Sequence, residues 1–326
     1  MLTYIARRLL IGIFTLLAVT FIVYGLIRNM PGTPLTIMQE TVRMDAMMSQ
    51  EQMDKLSKQY RLDKAWYVGY WYWLGDVMQG DLGRGINDRR KVTIIIGERL
   101  PKTLILTGTS LVLTYLLCIP MGLWSTANAL SFRERLVSTI LYILYALPSF
   151  VAAVYLNLII AVRLEWLPLY GSTGEGYAEM STLGKFWDVL SHAILPVICL
   201  TYTSLAYYTR FIKANMMETI QQDYIRTAKA KGASPSSILV KHAFRNSLIP
   251  LVTIIGLTLP ALLAGSVILE TIYQWNGIGY LFYQSITMRE YPVIMGLVLM
   301  FSVMTLLGQL LADVLYAFVD PRITYS

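Results

Sequence analysis

Residues that commonly carry catalytic or metal chemistry are few in this sequence. It has two histidines, His192 and His242, and two cysteines, Cys118 and Cys199, and the cysteines are not spaced as metal ligands. No GxxxxGK[ST] loop is present to hold the phosphates of a nucleotide, and neither an HExxH nor a GxSxG motif occurs. We therefore expect no catalytic residue, no metal site and no bound cofactor, and we expect the cysteines to serve in packing.

The elements that must position the remaining side chains are six long apolar stretches. Hydrophobic residues make up 56% of the 326 residues and charged residues 14%, against about 25% charged in ordinary soluble domains. Each stretch has about the 20 residues that an α-helix needs to cross a bilayer, and the charges lie outside them. The stretches are 9–27, 103–124, 136–162, 189–209, 248–269 and 292–312. The sequence therefore predicts an all-α membrane protein with six transmembrane helices.

The distribution of arginine and lysine predicts the orientation of these helices. If the N-terminus is cytoplasmic, twelve basic residues lie inside and the two short outer loops carry three. Both termini are then cytoplasmic, and residues 1–29 hold the N-terminus and the first helix. Residues 30–102 form a long external segment, and residues 103–326 form a core of five helices with a cytoplasmic loop at 210–247. Because the net charge of +7 lies outside the membrane spans, it does not indicate a nucleic-acid partner; membrane lipid is the expected surroundings.

The external segment is expected to be structured. Ser49 and Gln52 have the spacing of a capping box, and a helix is expected to follow them. A second helical run, 65–78, is rich in aromatic residues: Tyr67, Tyr70, Trp71, Tyr72 and Trp73. Such rings suit the boundary between membrane and water. This run is either an interfacial helix or a surface on which an external partner docks, and the sequence leaves both open.

The cytoplasmic segment 210–247 carries the most specific local signals. Apolar residues recur at helical spacing in its first half: Met217, Ile220, Tyr224 and Ala228. This spacing predicts one helix with a single apolar face, and Gly232 is expected to end it at the C′ position. Ser234 and Pro235 have the residue types of an N-cap and a first helical position. They predict a second, short helix over about 235–242.

The short helix is expected to present apolar side chains to a partner. Ile238 and Leu239 lie on it, shortly after the polar N-cap. A short helix held at the membrane face with exposed apolar residues suits docking into a groove of another protein. Since the chain has neither a nucleotide loop nor charged residues at mid-membrane, another chain must supply the energy for any transport.

The same segment resembles the cytoplasmic loop of ABC-importer permeases of the dipeptide/oligopeptide type. Their pattern DYxRTAxAKG…HAxRNxLIP is matched by residues 223–232 and 242–250. Further matches follow along nearly the whole chain: Arg7-Arg8, Pro31-Gly32-Thr33-Pro34, Gly80-Asp81-Leu82-Gly83, Arg99-Leu100-Pro101, Glu270-Thr271 with Trp275, Gly277 and Gly279, and Asp320-Pro321-Arg322-Ile323. Asn276 departs from the pattern, since a proline is usual there, and this leaves the geometry of that turn open.

The resemblance implies a transmembrane permease subunit of an ATP-driven importer, a transporter rather than an enzyme, in a bacterial or archaeal cytoplasmic membrane. Such subunits pair with a second, homologous permease subunit, two cytoplasmic ATPase subunits and an external substrate-binding protein. Their substrates are usually peptides, and for some members nickel chelates, glutathione or sugars. The contact with the ATPase is expected at Asp223, Arg226, Ala228, Gly232, Ser234, Pro235, Ile238, Leu239, His242, Arg245 and Asn246.

A polar stripe indicates where a solute could pass. Thr201, Ser204 and Tyr208 share one face of the fourth stretch, and Gly256 and Pro260 would let the fifth bend or approach its neighbours. These residues are candidates for the translocation path, although hydrogen bonding between helices explains the stripe equally well. A membrane scaffold or assembly subunit without a path also accounts for six spans and a docking loop. A secondary carrier is less well supported, because the spans lack ionisable residues.

Overall fold

The computed structural model describes residues 2–32, 34, 50–247, 251, 254, 258, 262 and 264–319. These residues are mostly helical; no strand occurs among them, and Arg84 and Lys91 form an isolated bridge. The helices are α1 (Leu2–Arg28), α2 (Gln50–Gln59), α3 (Trp66–Met78), α4 (Val92–Ala127), α5 (Phe132–Ala146), α6 (Ser149–Leu156, continued by π-helical Asn157–Arg163), α7 (Thr182–Ile220), α8 (Asp223–Ala230), α9 (Pro235–Ser237, continued by π-helical Ile238–Phe244), α10 (Val267–Ile272), α11 (Ile278–Thr287) and α12 (Tyr291–Val319).

Four of the described helices are long and apolar enough to cross a membrane. They are Ala6–Arg28 within α1, Val92–Ala127, Thr182–Ile220, and Tyr291–Leu311 within α12. They correspond to the first, second, fourth and sixth predicted stretches. The fifth stretch, 248–269, falls mostly outside the described residues. The prediction of a helical protein with several helices long and apolar enough to span a membrane is therefore confirmed.

The third predicted stretch, 136–162, is not one straight helix. α5 ends at Ala146, the chain is extended at Leu147 and Pro148, and α6 begins at Ser149. The two helices meet at 90°. A proline disfavours helical geometry at the residue before it, so the chain leaves the helix at Leu147, where ψ is 117°. The expectation of a single unbroken helix is wrong, because Pro148 divides it.

α4 and α7 make the most extensive contact between described helices. A Cβ added at Gly122 on α4 would lie 2.6 Å from the side chain of Ile212 on α7, so this crossing requires glycine. Across the same interface, Thr201 Oγ1 of α7 donates a hydrogen bond to Ser110 Oγ of α4 at 3.1 Å. Small and hydroxylated residues of this kind allow two helices to approach closely in a bilayer.

The aromatic helix α3 packs one face against α1. Tyr70 and Trp73 are buried there beside Tyr24, and Tyr70 Oη lies 3.1 Å from Thr20 Oγ1. Other aromatic residues of α3 are exposed: Tyr67, Trp71 and Tyr72. The exposed face is compatible with both hypotheses for this helix, a membrane boundary and a docking surface. α2 follows the proposed capping box, whose first residue, Ser49, lies outside the described residues.

Two buried carboxylates hold the segment between α10 and α12 in place. Glu270 accepts hydrogen bonds from Thr103 Oγ1 at 3.0 Å and from the Tyr280 N–H at 3.1 Å. Glu290 accepts hydrogen bonds from the two consecutive backbone N–H groups of residues 86–87, at 2.6 and 2.8 Å. Burial raises the pKa of both carboxyl groups above the ordinary value. These contacts join parts of the chain that are far apart in sequence.

The turn at Asn276 is fixed by contacts with α4. The side-chain oxygen of Asn276 accepts a hydrogen bond from Arg99. The neighbouring Trp275 is 1% exposed, and its Nε1 donates to the Lys102 carbonyl at 2.9 Å. A Cβ at Gly277 would overlap the buried carboxylate and the threonine hydroxyl just described, so glycine is required there. Asn276 therefore stands in the place of the usual proline and supplies a polar contact to α4.

Candidate functional site

The loop after α7 begins with a break in the chain. α7 ends at Ile220, and Gln222 is extended, with ψ of 150°, before α8 starts. The single helix predicted over 217–228 is therefore two helices. Ile225 is fully buried, whereas Tyr224 is 44% exposed. The prediction that Tyr224 lies on the apolar face is wrong, because the break gives α8 a new rotational phase relative to α7.

Gly232 ends α8 as the sequence predicts. Its φ is +80°, in the left-handed region that favours glycine. The Gly232 N–H donates to the Lys229 carbonyl at 3.0 Å, and the Ala233 N–H donates to the Ala228 carbonyl at 3.1 Å. This pair of bonds is the Schellman arrangement of a helix C-terminus. A Cβ at Gly232 would meet no heavy atom within 4 Å, so glycine is required by backbone conformation and not by lack of space.

Ser234 and Pro235 begin α9, also as predicted. Ser234 Oγ accepts a hydrogen bond from the Ser237 N–H at 3.3 Å, and Pro235 takes the first helical position. The helix then continues in π-helical form to Phe244, beyond the predicted end near residue 242. π-helical turns are rare and occur frequently at functional sites.

Ile238 is buried within this chain. It is 8% exposed and packs among residues of α4, α7 and α8, and Leu239 is partly buried against the same group. We name this group the loop cluster; its buried members are Cys118, Tyr208, Ile212, Met216, Ile225, Ile238, Ala243 and Leu251. The expectation that Ile238 and Leu239 are exposed is wrong, because α4, α7 and α8 provide the apolar surface that covers them.

The residues predicted to contact the ATPase, which we name the candidate coupling residues, divide between the loop cluster and the surface. The exposed ones are Asp223, Arg226, Gly232, Ser234, Pro235, Arg245 and Asn246. Leu239 and His242 are partly buried, and Ala228 and Ile238 are buried. Asp223 and Arg226 form an ion pair at 3.2 Å, with side chains so exposed that the pair adds little stability. The loop thus has a buried side, which packs on α4 and α7, and a solvent-exposed side.

The exposed side includes apolar residues that the sequence alone does not single out. Val240 is 49% exposed, and Tyr224 is similarly exposed; Pro235 and Ser236 lie on the surface as well. Together with the exposed residues of the preceding paragraph, they form what we name the exposed side of the loop. Residues two positions apart on a helix lie on roughly opposite faces. Because Ile238 is buried, Val240 therefore points outward. The surrounding exposed charges are mainly basic: Arg226, Lys229, Lys231, Lys241 and Arg245, against Asp223.

The candidate path residues on α7 lie mostly against α4. Thr201 is buried and bonds to Ser110, so for Thr201 the structure contains the hydrogen bond between helices. The ring of Tyr208 is buried 5.2 Å from the ring of Tyr115, centroid to centroid. Ser204 is partly buried. Two further candidates lie outside the described residues: Gly256 and Pro260.

The described residues contain no group of three or more His, Cys, Asp or Glu side chains that could hold a metal ion. His192 is buried, and its Nδ1 lies 2.8 Å from the Asp188 carbonyl oxygen. Cys118 and Cys199 are buried free thiols, 118 in the loop cluster and 199 near Tyr273. These three side chains therefore have contacts within the chain.

A comparison of folds relates this chain to a membrane transporter. A chain of the MetNI methionine ABC transporter, in inward-facing conformations, superposes with a TM-score of 0.52 at 18% sequence identity. The match covers 70% of this chain and 97% of that chain. At this level of identity the similarity establishes the fold alone.

Comparisons of sequence extend over the full length. The chain is 38% identical over 326 residues to the oligopeptide transport system permease protein AppB of Bacillus subtilis (strain 168), covering 100% of both chains. It is 34% identical to the di/tripeptide transport system permease protein DppB of Pseudomonas aeruginosa (strain UCBPP-PA14) and 34% identical to the glutathione transport system permease protein GsiC of Escherichia coli (strain K12), again covering 100% of each. The model of the binding-protein-dependent transport system inner membrane component matches residues 118–325. The chain belongs to this family of inner-membrane permease components.

Proposed function

We propose that this chain is the permease subunit of an ATP-driven importer of peptides, which an external binding protein delivers. The observation that carries the proposal is the similarity to three permeases over their full length. Their names give oligopeptides, di- and tripeptides, and glutathione as the transported solutes. All three kinds of solute are short chains of amino acids. A peptide of a few residues is therefore the expected solute of this chain.

The proposal includes six spans with both termini in the cytoplasm of a bacterium or archaeon. It is supported by the four long apolar helices, by the bent pair α5–α6 as a third span, and by the apolar stretch 248–269. The excess of basic residues in the loops that would be cytoplasmic gives the orientation. In this orientation, residues 30–102 face the binding protein and the loop between α7 and the fifth span faces the ATPase.

The loop is proposed to receive the conformational work of its ATPase, one of the two ATPase subunits of the transporter. The sequence has no phosphate-binding loop of its own, so this work must enter through a contact between proteins. The exposed side of the loop offers Val240 and Tyr224 as apolar contacts within a basic surface. Exposed aromatic and apolar residues with a charged rim are typical of a docking site for another protein.

The buried side of the loop supports the transmission of movement. The loop cluster contains Cys118 of α4, Ile212 of α7 and Ile238 of α9. Packed interiors resist compression, so a displacement of the loop must displace both membrane helices. We expect the translocation path to form between this chain and a second, homologous permease. Thr201 and Tyr208 would then set the spacing of α4 and α7 behind the path, and Ser204, Gly256 and Pro260 stay candidates for its lining.

Uptake by the assembled transporter tests the proposed function. The chain is co-purified with its second permease and its ATPase subunits, reconstituted in proteoliposomes, and supplied with its binding protein. We expect ATP-dependent accumulation of a labelled di-, tri- or oligopeptide that requires both the binding protein and an intact ATPase. A complex that assembles, yet accumulates none of these peptides under the same conditions, would contradict the proposal and favour a scaffold subunit.

A further inference from the structure

A pocket of about 840 Å³ lies between α5 and α7, apart from the loop cluster. Its charged lining residues are Glu134, Arg135, Arg210 and Lys213. Three cations face one carboxylate, so the lining carries an excess of two positive charges. An apolar environment with excess positive charge attracts an anion unless the cations are already paired.

The single carboxylate of the pocket is buried and paired with Lys213. The Glu134 side chain is 4% exposed, and its Oε1 accepts hydrogen bonds from Lys213 Nζ and Ser138 Oγ, both at 2.5 Å. Removing one partner of a buried ion pair is costly, so Lys213 is committed to Glu134. Arg135 donates to the Leu130 carbonyl at 3.2 Å and is exposed. The described contacts of Glu134 and of the Leu130 carbonyl are thus with other residues and not with Arg210.

Arg210 and Arg135 both lack an anion among the described residues, and of the two only Arg135 has a hydrogen-bond acceptor, the Leu130 carbonyl. The guanidinium carbon of Arg210 lies 3.9 Å from the centroid of the Tyr142 ring and 5.7 Å from that of Tyr145. No carboxylate and no hydrogen-bond acceptor pairs with Arg210 in the described part of the chain. Stacking covers the flat face of a guanidinium and orients it, while the N–H groups at its edge stay available as donors.

Three tyrosine hydroxyls add further polar groups to the same lining. Tyr142, Tyr145 and Tyr207 all line the pocket, and none of their hydroxyls is hydrogen-bonded to another described residue. We propose that this pocket binds an oxyanion, a phosphate or a carboxylate, at Arg210. A guanidinium matches the two oxygen atoms of either group, and nearby phenols can donate to the same oxygens.

Two sources can supply this oxyanion. In the proposed orientation the pocket lies at the cytoplasmic boundary, where basic pockets between helices take the headgroups of anionic lipids. The other source is the C-terminal carboxylate of a transported peptide, and this source rests on the proposed function. Both sources place an oxyanion at Arg210, a phosphate from the lipid or a carboxylate from the peptide, and the choice of probe separates them.

Binding measurements on the complete purified transporter test the site. The probes are dihexanoyl phosphatidylglycerol against dihexanoyl phosphatidylcholine, and a tripeptide against its C-terminal amide. We expect one anionic probe to bind wild type about tenfold more tightly than its neutral counterpart, and Arg210→Gln to remove that difference. The matched control is Arg133→Gln, since Arg133 is exposed at the start of α5 and does not line the pocket.

The two arms give separable results. Loss of phosphatidylglycerol binding in Arg210→Gln identifies a lipid headgroup, and this result does not depend on which solute is transported. Loss of tripeptide binding, with the amide unaffected, identifies the carboxylate. If Arg210→Gln fails to assemble, Arg210→Lys keeps the charge but loses the planar fork, and a several-fold loss is expected. Equal affinities of wild type and Arg210 variants for both anionic probes would overturn the proposal.

Discussion

Replacing Gly232 with valine tests whether the angle between α8 and α9 transmits the work of the ATPase. An L-residue in the left-handed region costs about 1–2 kcal/mol, and a β-branched one is disfavoured further. A Cβ there meets no heavy atom within 4 Å, so backbone strain is the whole cost. If the chain instead relaxes to negative φ, the bonds at 3.0 and 3.1 Å break, at about 1 kcal/mol each. In either case the loop conformation with the native angle between α8 and α9 is destabilised by about 2 kcal/mol. This lowers its population by a factor of about 30.

The assay is ATP hydrolysis by the reconstituted transporter with and without loaded binding protein. We expect Gly232→Val to pair normally with the second permease and to lose most of the stimulated hydrolysis. Gly232→Asn should retain more of it, because asparagine visits the left-handed region more readily. The matched control is Gly176→Val, since Gly176 has φ of +71° and equally open surroundings, far from the loop.

The comparison between the two glycines decides the outcome. Stimulated hydrolysis equal to wild type in Gly232→Val would refute the role of the angle. An equal loss in Gly176→Val would also refute it, because the effect would then come from backbone strain in general and not from the loop.

Other parts of the chain give three further predictions. A maleimide that cannot cross the membrane should label Asp63→Cys and Ser236→Cys from opposite sides, since both positions are exposed and the native cysteines are buried; labelling from one side would contradict the proposed orientation. Val240→Asp should leave the complex folded but weaken co-purification of the ATPase several-fold, and unchanged co-purification would exclude Val240 from the contact. Gly277→Ala should lower the apparent Tm by about 5 °C because its Cβ overlaps buried oxygens, whereas Gly75→Ala, with open surroundings, should not; equal Tm values would contradict that packing.

Local signals predicted the local structure of the loop well. Gly232, Ser234 and Pro235 each act through their own conformational preference or their own side chain, so one residue is enough to identify the helix end or start. The burial of Ile238 and the exposure of Tyr224 were not predictable in this way. The break before α8 carries no proline or glycine, and it resets the helix phase on which the Tyr224 assignment depends. Ile238 is buried by α4, α7 and α8, of which α4 is distant in the sequence.

Longer-range features depended on partners that a single sequence does not reveal. The length of the apolar stretches was sufficient to predict the long helices, since it reflects the thickness of the bilayer. Pro148 is a sequence signal for the bend in the third stretch. The prediction for this stretch used only its apolar length, which does not register a proline. The roles of Glu270 and Glu290 could not be predicted, because their partners lie 167 and 204 residues away in the chain.

α4 is long enough to have a mechanical consequence. Its 36 residues extend about 54 Å, against about 30 Å of hydrocarbon. Thr103, a third of the way along the helix, contacts the buried Glu270, and Cys118, three quarters of the way along, lies in the loop cluster. One stiff rod therefore joins both contacts, and a tilt at either becomes a tilt at the other without a relay of side chains. Pro101 and Pro120 lie within α4, each two residues outside these contacts. Because proline kinks a helix, bending of α4 is concentrated at these two prolines.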